Sequence, residues 1–238
     1  ENGIIAGIQL CKLVFERIDP EMVVRSSVED GDEVSKGDII IEIEGTTRAI
    51  LMGERLILNC MQRMSGIATY THLLNQLISG TKAKLLDTRK TTPNFRMMEK
   101  WAVLIGGGVN HRFGLFDMIM LKDNHIDFAG GITKAVNLTS TYLKEIGKPL
   151  KIEVETRNLK EVLEAIEVGR VDRIMLDNMS PTLMSEAVAI INGRSETEAS
   201  GGITEETIRA VAETGVDYIS VGALTHSVKS IDISLKAR

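Results

Sequence analysis

The chain has 238 residues, of which 43% are hydrophobic and 26% charged, an ordinary globular composition that excludes collagen, coiled coil and disorder. Its formal net charge of −5 and its few aromatic residues (one Trp, three Tyr, five Phe) exclude a general nucleic-acid binder. No apolar run approaches the roughly 20 residues that a membrane-spanning helix needs.

The first 52 residues predict a small β-rich unit. Short apolar runs at 3–8 and 22–27 are typical of strands. A double turn at 28–37 follows, and a partly alternating run at 38–45 predicts a half-buried strand.

From Glu54 onward the pattern becomes helical and then alternates. Apolar residues at helical spacing predict one long helix over 55–78, which Gly80 ends. Strands are predicted at 83–87, 118–121, 151–155, 173–177, 197–200 and 218–221, and helices at 96–104, 132–146, 159–168, 181–191 and 205–213. Because successive parallel strands need crossover helices, this α/β series predicts an incomplete, open α/β barrel, with a doubly wound sheet as the alternative.

A polar residue or a glycine follows each predicted strand. In a parallel barrel the carboxyl ends of all strands open onto one face, which holds the site. We therefore expect these residues to surround one cavity: Arg89, Lys90, Lys122, Glu155, Asp177, Ser200 and Gly222. Taken singly, each could instead be an ordinary loop residue or helix cap.

Cationic residues recur at these strand ends. Arg89 and Lys90 follow one strand directly, His111 and Arg112 follow a run of three glycines, and Lys122 ends another strand. Arg pairs with carboxylate or phosphate oxygens in a bidentate manner, and Lys supplies a compact charge. Several cations in an acidic chain predict a polyanionic ligand, although surface salt bridges would explain them too.

Glu155 and Asp177 predict a sugar or metal site. Carboxylates at strand ends can accept from sugar hydroxyls or hold Mg²⁺ directly or through water, unless they are salt-bridged or capping acids. The late loops Ser200–Gly202 and Gly222–Ala223 predict a phosphate cradle of backbone N–H groups, with tight turns as the alternative.

Two features bear on the compartment. Cys11 and Cys60 are too few for a disulfide framework or a zinc site and indicate buried thiols in a reducing compartment. No signal-peptide pattern is present, and the first residue is Glu, which indicates a processed or truncated start. We expect a cytoplasmic protein, or a plastid one if a transit segment was removed.

Seven segments together resemble the quinolinate phosphoribosyltransferase family, also called carboxylating nicotinate-nucleotide pyrophosphorylase. They lie in order along nearly the whole chain, at 86–92, 107–115, 119–125, 153–155, 174–178, 198–203 and 220–227. The resemblance implies a homodimer of chains with a β-rich α/β sandwich domain at 1–54 and an open barrel at 55–226. We expect the tail, 227–238, to pack on the smaller domain.

The resemblance also implies a reaction and its residues. The family joins the ring nitrogen of quinolinate to C1 of phosphoribosyl pyrophosphate, releases pyrophosphate and CO₂, and forms nicotinate mononucleotide for NAD biosynthesis. It implies quinolinate binding by Arg55 (from the partner subunit), Arg89, His111, Arg112 and Lys122. It implies binding of phosphoribosyl pyrophosphate by Lys90, Glu155, Asp177, Ser200, Gly201, Gly222 and His226. Lys122, Glu155 and Asp177 are the implied catalytic residues, with Mg²⁺ held by Glu155 and Asp177.

Three alternatives compete with this hypothesis. A nicotinate phosphoribosyltransferase would have a related barrel and a monocarboxylate substrate, which the Arg89 and His111–Arg112 set disfavours. An aldolase-type barrel would use Lys122 as a Schiff-base lysine. Residues 28–45 also resemble a biotinyl or lipoyl carrier half-barrel, but no Lys occurs between Gly37 and Met52 to carry the group.

Overall fold

The computed structural model of the chain describes residues 1–237, which form two compact units. The first unit consists of residues 1–75, 90–109 and the chain from Gly222 onward. The second consists of residues 76–89 and 110–221. No helix in the described residues is both long and apolar enough to span a membrane. The domain boundaries predicted after residues 54 and 226 stay a prediction.

Four short strands of the first unit form two antiparallel pairs. β1 (Gly3–Ile4) pairs with β3 (Glu33–Val34), and β2 (Val23–Ser26) pairs with β4 (Ile41–Glu44). The strands predicted at 22–27 and 38–45 are thereby confirmed as β2 and β4.

The prediction of only strands and turns over residues 1–52 is wrong, because α1 (Ile8–Ile18) lies among them. Its buried residues Ile8, Cys11 and Phe15 recur every three or four positions, which is a helical period within a β-branched stretch. The Asp30 carboxylate accepts from the backbone N–H groups of Gly7, Ile8 and Gln9 and so caps the start of the helix. This cap comes from 21 to 23 residues away in sequence, outside any local pattern.

An apolar core joins this helix to the strands of the first unit. Its buried members are Ile5, Ile8, Cys11, Phe15, Val34, Ile57 and Met61, and Ile233 of the tail packs against them. Cys11 and Cys60 are both buried and free, as the sequence predicts. Burial raises the pKa of the Cys11 thiol to about 12, so it remains protonated and apolar at neutral pH.

The helix predicted over 55–78 begins earlier, so that α2 spans Thr47–Leu77. It receives the tail, since Ile231 N donates to Gln62 O (3.1 Å) and Gln62 Nε2 donates to Ile233 O (2.8 Å). A side chain at Gly66 would collide with Lys229 O. Two further helices of this unit, α3 (Arg96–Ile105) and α9 (Ala223–His226), pack on each other.

The second unit contains a six-stranded, fully parallel sheet, as predicted. Its strands are β5 (Lys84–Leu86), β6 (Ile119–Leu121), β7 (Ile152–Thr156), β8 (Arg173–Asp177), β9 (Glu196–Ser200) and β10 (Tyr218–Ser220). The spatial order is β5-β10-β9-β8-β7-β6. β5 and β6 follow each other in the chain yet form opposite edges, which is the order of a barrel left open between them. The predicted incomplete α/β barrel with a small β-containing domain is confirmed.

Five helices accompany the sheet: α4 (Asp123–Ala129), α5 (Ile132–Glu145), α6 (Leu159–Glu167), α7 (Pro181–Ile191) and α8 (Ile208–Ala212). The sequence did not predict α4, because the polar Lys122–Asn124 run was interpreted as a strand end. The helix predicted at 205–213 begins only at Ile208, after a turn in which Thr204 N donates to Thr207 Oγ1 (2.9 Å).

Candidate active site

Four predicted residues lie at the carboxyl ends of neighbouring strands in the second unit. Lys122 follows β6, Glu155 lies in β7, and Asp177 and Ser200 end β8 and β9. Parallel pairing brings these ends to one edge of the sheet. Lys122 Nζ lies 3.3 Å from Glu155 Oε2, so the lysine and the carboxylate hold each other at this edge.

The β8 and β9 loops are joined by a backbone bond. Asp177 and Ser200 are register partners, and Asn178 N donates to Ser200 O (2.9 Å). Gly201 has a φ of 98°, and a Cβ there would collide with Asn178 Oδ1 and lie 2.9 Å from Asn178 N. The close approach therefore requires glycine at position 201.

Two guanidinium groups meet in the same unit. Burial lowers the pKa of Arg112, and the neighbouring charge of Arg89 lowers it further. Arg112 Nη1 donates to Met118 O (3.2 Å), whereas the buried Arg89 Nε has no hydrogen-bond partner in residues 1–237. Two half-buried cations that repel each other, one with a buried donor left over, could accept an anion between them, and the predicted anion-binding role of these residues stays a prediction.

His111 is held by its backbone and faces two acids. Its N–H donates to the fully buried Asp87 carboxylate (2.8 Å). The ring Nε2 lies 3.0 Å from Glu153 Oε2 and 3.4 Å from Glu198 Oε2. Arg112 N donates to His111 Nδ1 (2.7 Å), which favours the neutral ring. Burial favours it too, but the contacts with Glu153 and Glu198 outweigh one neutral hydrogen bond and raise the pKa of His111 to about 9.

The acids belong to a buried cluster that the sequence prediction missed. Glu153 and Glu198 are 0% exposed on β7 and β9, and Arg173 of β8 donates to Glu198 Oε2 (3.0 Å). Burial raises the pKa of Glu153, and the Glu198 charge adds to this. Burial would also raise the pKa of Glu198, but His111, Ser220 and Arg173 lower it. The one sequence signal for this cluster is that charged residues occur among the apolar residues of strands predicted to be buried.

The ligand atoms of His111, Glu153 and Glu198 lie within 4.8 Å of one another, close enough to hold a metal ion. Arg173 already places a positive charge on Glu198, and a protonated His111 places a second one between both acids. The cluster is therefore charge-balanced by its own side chains. Glu155 and Asp177 join no three-ligand cluster among the described residues, so a metal there would need ligands from a substrate.

Other predicted residues belong to the first unit. Thr225 Oγ1 donates to Lys90 O (2.8 Å), and a Cβ at Gly222 would lie 3.0 Å from His226 Nε2 and 3.2 Å from Lys90 Cδ. Lys90, Gly222 and His226 are thus brought together. Arg55 is exposed on α2, away from this group in sequence.

An open α/β barrel that displays carboxylates, a lysine and a glycine turn at its strand ends defines an anion-handling barrel protein. Residues 1–65 and 67–236 match the N-terminal and C-terminal domains of quinolinate phosphoribosyl transferase. The chain therefore belongs to the quinolinate phosphoribosyltransferase family.

Relatives from plants and bacteria agree with this. The chain is 49% identical to quinolinate phosphoribosyltransferase [decarboxylating] 1 of Nicotiana glauca, over 99% of this chain and 71% of that protein. It is 46% identical to a probable nicotinate-nucleotide pyrophosphorylase [carboxylating] of Bacillus subtilis, over 98% and 80%. The crystal structure of NadC from Streptococcus pyogenes has a TM-score of 0.93 at 43% identity, covering 100% of this chain and 82% of that one.

These matches decide among the alternatives. Both family models and the relatives name quinolinate or nicotinate-nucleotide enzymes over the full chain, which disfavours an aldolase-type barrel. Residues 28–45 fall inside the N-terminal family domain rather than a carrier module. The individual roles of the predicted site residues stay predictions.

Proposed function

We propose that this chain transfers the phosphoribosyl group of phosphoribosyl pyrophosphate to the ring nitrogen of quinolinate. The products are nicotinate mononucleotide, pyrophosphate and CO₂, in the biosynthesis of NAD. Membership of the family supports the reaction, and the Arg89–Arg112 pair with its unpartnered Arg89 Nε is the observation that carries the substrate assignment.

Quinolinate is a dicarboxylate, so it matches a pair of cations better than a monocarboxylate does. Each guanidinium can engage a carboxylate through two parallel hydrogen bonds. We assign one carboxylate to Arg89 and Arg112, with His111 and Lys122 as the other cationic ligands. A bound anion would offset the repulsion between the two arginines, which lowers the pKa of Arg112.

The chemistry requires positioning and charge rather than an enzyme nucleophile. Breaking the bond between C1 and pyrophosphate leaves an oxocarbenium-like ribose, which the ring nitrogen attacks if it is already held in line. Preorganised charges stabilise the departing pyrophosphate, and Lys122 at the strand end is the group we assign to this role. Glu155, which pairs with Lys122 at 3.3 Å, keeps the lysine extended over the edge of the sheet.

The second step, decarboxylation, needs few protein groups. Transfer makes the ring a cationic pyridinium, which accepts the electron pair left when the 2-carboxylate departs as CO₂. The chain has to hold the ring and its remaining carboxylate while this happens. We assign this holding to Arg89, Arg112 and His111.

We propose Mg²⁺ as the cofactor, held by Glu155 and Asp177. Two carboxylates at neighbouring strand ends fit Mg²⁺, which usually takes one or two protein carboxylates and completes its shell with substrate phosphates and water. When bound, it would neutralise the charge of the pyrophosphate. We assign Ser200, Gly201, Gly222 and His226 to the 5′-phosphate, and Lys90 to phosphoribosyl pyrophosphate.

We further propose that two copies of the chain form a homodimer and that Arg55 serves the partner's site. Arg55 is exposed on α2 and is flanked by Leu51, Met52 and Leu56, which are 63%, 63% and 55% exposed. Such an exposed apolar strip around a cation suits a surface covered by a second copy. The predicted cytoplasmic location stays a prediction.

A direct assay tests the reaction. The protein is incubated with quinolinate, phosphoribosyl pyrophosphate and Mg²⁺, and nicotinate mononucleotide is followed by chromatography. Product that depends on all three additions is expected. A folded protein that forms none contradicts the proposal, and trapping of a carbonyl substrate on Lys122 by borohydride would favour aldolase chemistry instead.

Subunit mixing tests the shared site. Arg55→Ala and Lys122→Ala should each be inactive, but a mixed dimer has one site free of both changes. With equal random exchange, recovery should approach about one quarter of wild-type activity, since about half the dimers are mixed and each has one of two sites intact. Absence of recovery despite proven exchange would remove Arg55 from the partner's site.

A further inference from the structure

A buried ion pair in the first unit links three separate parts of the chain. Glu99 on α3 is 0% exposed, and its Oε1 accepts from Arg63 Nε (3.0 Å) and Arg63 Nη2 (2.9 Å) of α2. Two nitrogens of the Arg63 guanidinium make further hydrogen bonds. Arg63 Nη1 donates to Val228 O (2.8 Å), and Nη2 also donates to Thr225 O.

The same carboxylate holds the chain just after Lys90. Thr92 N donates to Glu99 Oε2 (3.0 Å), and Thr92 Oγ1 donates to Glu99 Oε1 (2.9 Å). In addition, Thr225 Oγ1 donates to Lys90 O (2.8 Å), so the two segments are also hydrogen-bonded to each other directly. Segment 90–92 and segment 222–228 are therefore fixed to each other through one arginine and one glutamate.

The residues held in this way are those to which we assign phosphate contacts. Lys90 and His226 have exposed side chains, and both lie close to Gly222, where a Cβ would be 3.0 Å from His226 Nε2 and 3.2 Å from Lys90 Cδ. Exposed long side chains are costly to immobilise, so the backbone beneath them has to be fixed if they are to meet an anion in one geometry. Neither Arg63 nor Glu99 is itself placed at the anion.

We propose that Arg63 and Glu99 are positioning residues for phosphoribosyl pyrophosphate, acting by fixing segments 90–92 and 222–228. This inference rests on the proposed function and adds that the Arg63–Glu99 pair influences the binding of one substrate and not of the other. The pair affects the phosphoribosyl donor, whereas the quinolinate ligands that we assign within the same chain, Arg89, His111, Arg112 and Lys122, all belong to the second unit. The two substrates should therefore respond differently when the pair is broken.

The experiment uses the full chain with Glu99→Gln. Glutamine has the same size as glutamate, but one of its two terminal atoms is an NH₂ group, which donates and cannot accept. Either Arg63 or Thr92 therefore loses its acceptor. We expect the KM and Kd for phosphoribosyl pyrophosphate to rise on the order of 10–100-fold, as for misplacement remote from the chemistry. The KM for quinolinate should stay within about twofold of wild type, because its ligands belong to another cluster.

Two further variants make the result specific. Thr225→Val removes the bond to Lys90 O and a longer one to Gly222 O (3.4 Å), leaves the Arg63–Glu99 pair in place, and should raise the same KM by a smaller factor. Glu213→Gln breaks an exposed Arg209–Glu213 pair (2.7 Å) and should change neither KM. Equal rises in both KM values, or an unchanged Kd for phosphoribosyl pyrophosphate in folded Glu99→Gln, would overturn the proposal.

A readout that needs no activity separates this inference from the proposed reaction. Hydrogen exchange should accelerate in Glu99→Gln at the Thr92 amide or, if the glutamine oxygen keeps Thr92 and releases Arg63, at the amides of segment 222–228, while amides of β8 stay protected. If wild-type protein forms no nicotinate mononucleotide, the proposed reaction fails. If exchange is unchanged both at Thr92 and in segment 222–228 of the variant, the positioning role fails whatever the reaction is.

Discussion

The two buried ion clusters of this chain differ in how fully their carboxylates are hydrogen-bonded. Glu99 accepts four hydrogen bonds between its two oxygens. Glu153, in the barrel, lies 3.0 Å from His111, yet neither of its oxygens has an aligned hydrogen-bond partner in the described residues. The hydrogen-bonded carboxylate of Glu99 fixes chain segments, whereas the barrel cluster leaves the oxygens of Glu153 without an aligned donor and is held mainly by charge. Arg89 Nε, in the same unit as Glu153, is also a buried polar atom without a partner in the described residues, and it is the one that we assign to the substrate.

The largest expected effect concerns the proposed quinolinate site, to which Arg89 belongs. Arg89→Ala should reduce kcat/KM for quinolinate by the equivalent of about 2–5 kcal/mol, the range for removing one partner of a desolvated charge pair. For the same reason, wild-type protein should use nicotinate very poorly. Steady-state kinetics with both acids measure this, and Arg157→Ala, at an exposed pair with Glu161, is the control. Equal efficiency with the two acids would contradict the assignment.

Stability should separate the two clusters directly. Glu99→Gln should lower the free energy of unfolding by about 3 kcal/mol, because it breaks a buried ion pair. Glu153→Gln should change it by less than about 1 kcal/mol, since it removes a charge that burial and Glu198 both disfavour. Urea unfolding of both variants provides the comparison. If both variants lose a similar free energy of unfolding, the difference in hydrogen bonding between the two carboxylates does not affect stability.

The glycine turn at β9 offers a smaller, matched test. Gly201→Ala should cost about 1–3 kcal/mol, because φ is 98° and the new Cβ meets Asn178. Gly202→Ala has a φ of 60° with nothing within 4 Å, so only the left-handed backbone cost of about 1–2 kcal/mol applies. Thermal unfolding of the two variants tests the order. A less stable Gly202→Ala protein would contradict the contact with Asn178.

A further expected effect is a dependence on pH. The pKa of His111 is raised from 6.5 to about 9 in the folded chain, so its stabilising contribution is complete below pH 6.5. It is lost as the pH rises through about 9. Stability should therefore fall over this window in wild type, and His111→Gln should flatten the slope there. An identical slope in both proteins would show that the Arg112 amide keeps the ring neutral.

The barrel could be predicted closely from the sequence because its strands are continuous apolar runs that end in polar residues. β8 and α7 match their predicted bounds in full, and the strand-end residues Lys122, Glu155 and Asp177 follow from that pattern. Buried charge could not be predicted in the same way. Glu153 and Arg173 lie in buried strands, and their partners come from other strands, so no local spacing reveals them.

The first unit was harder for a related reason. Helix α1 depends on the distant Asp30 for its cap, and the pair of Arg63 and Glu99 is 36 residues apart. Resemblance to a family supplied Arg55 and His226, which no composition or spacing argument would have selected alone. The roles of these residues remain to be measured.

The pairing of β5 with β10 has a consequence for synthesis of the chain. Residues 84–86 align with residues 218–220, and Ile233 completes the apolar core that begins at Ile5. Until residues 218–220 have been translated, β5 has no neighbouring strand, and until Ile233 has been translated the apolar core of the first unit lacks that side chain. β5 can pair only after residues 218–220 have been synthesised, and Ile233 can pack on the core only later still, so both contacts form after strands β6 to β9 have been made and β5 stays unpaired meanwhile.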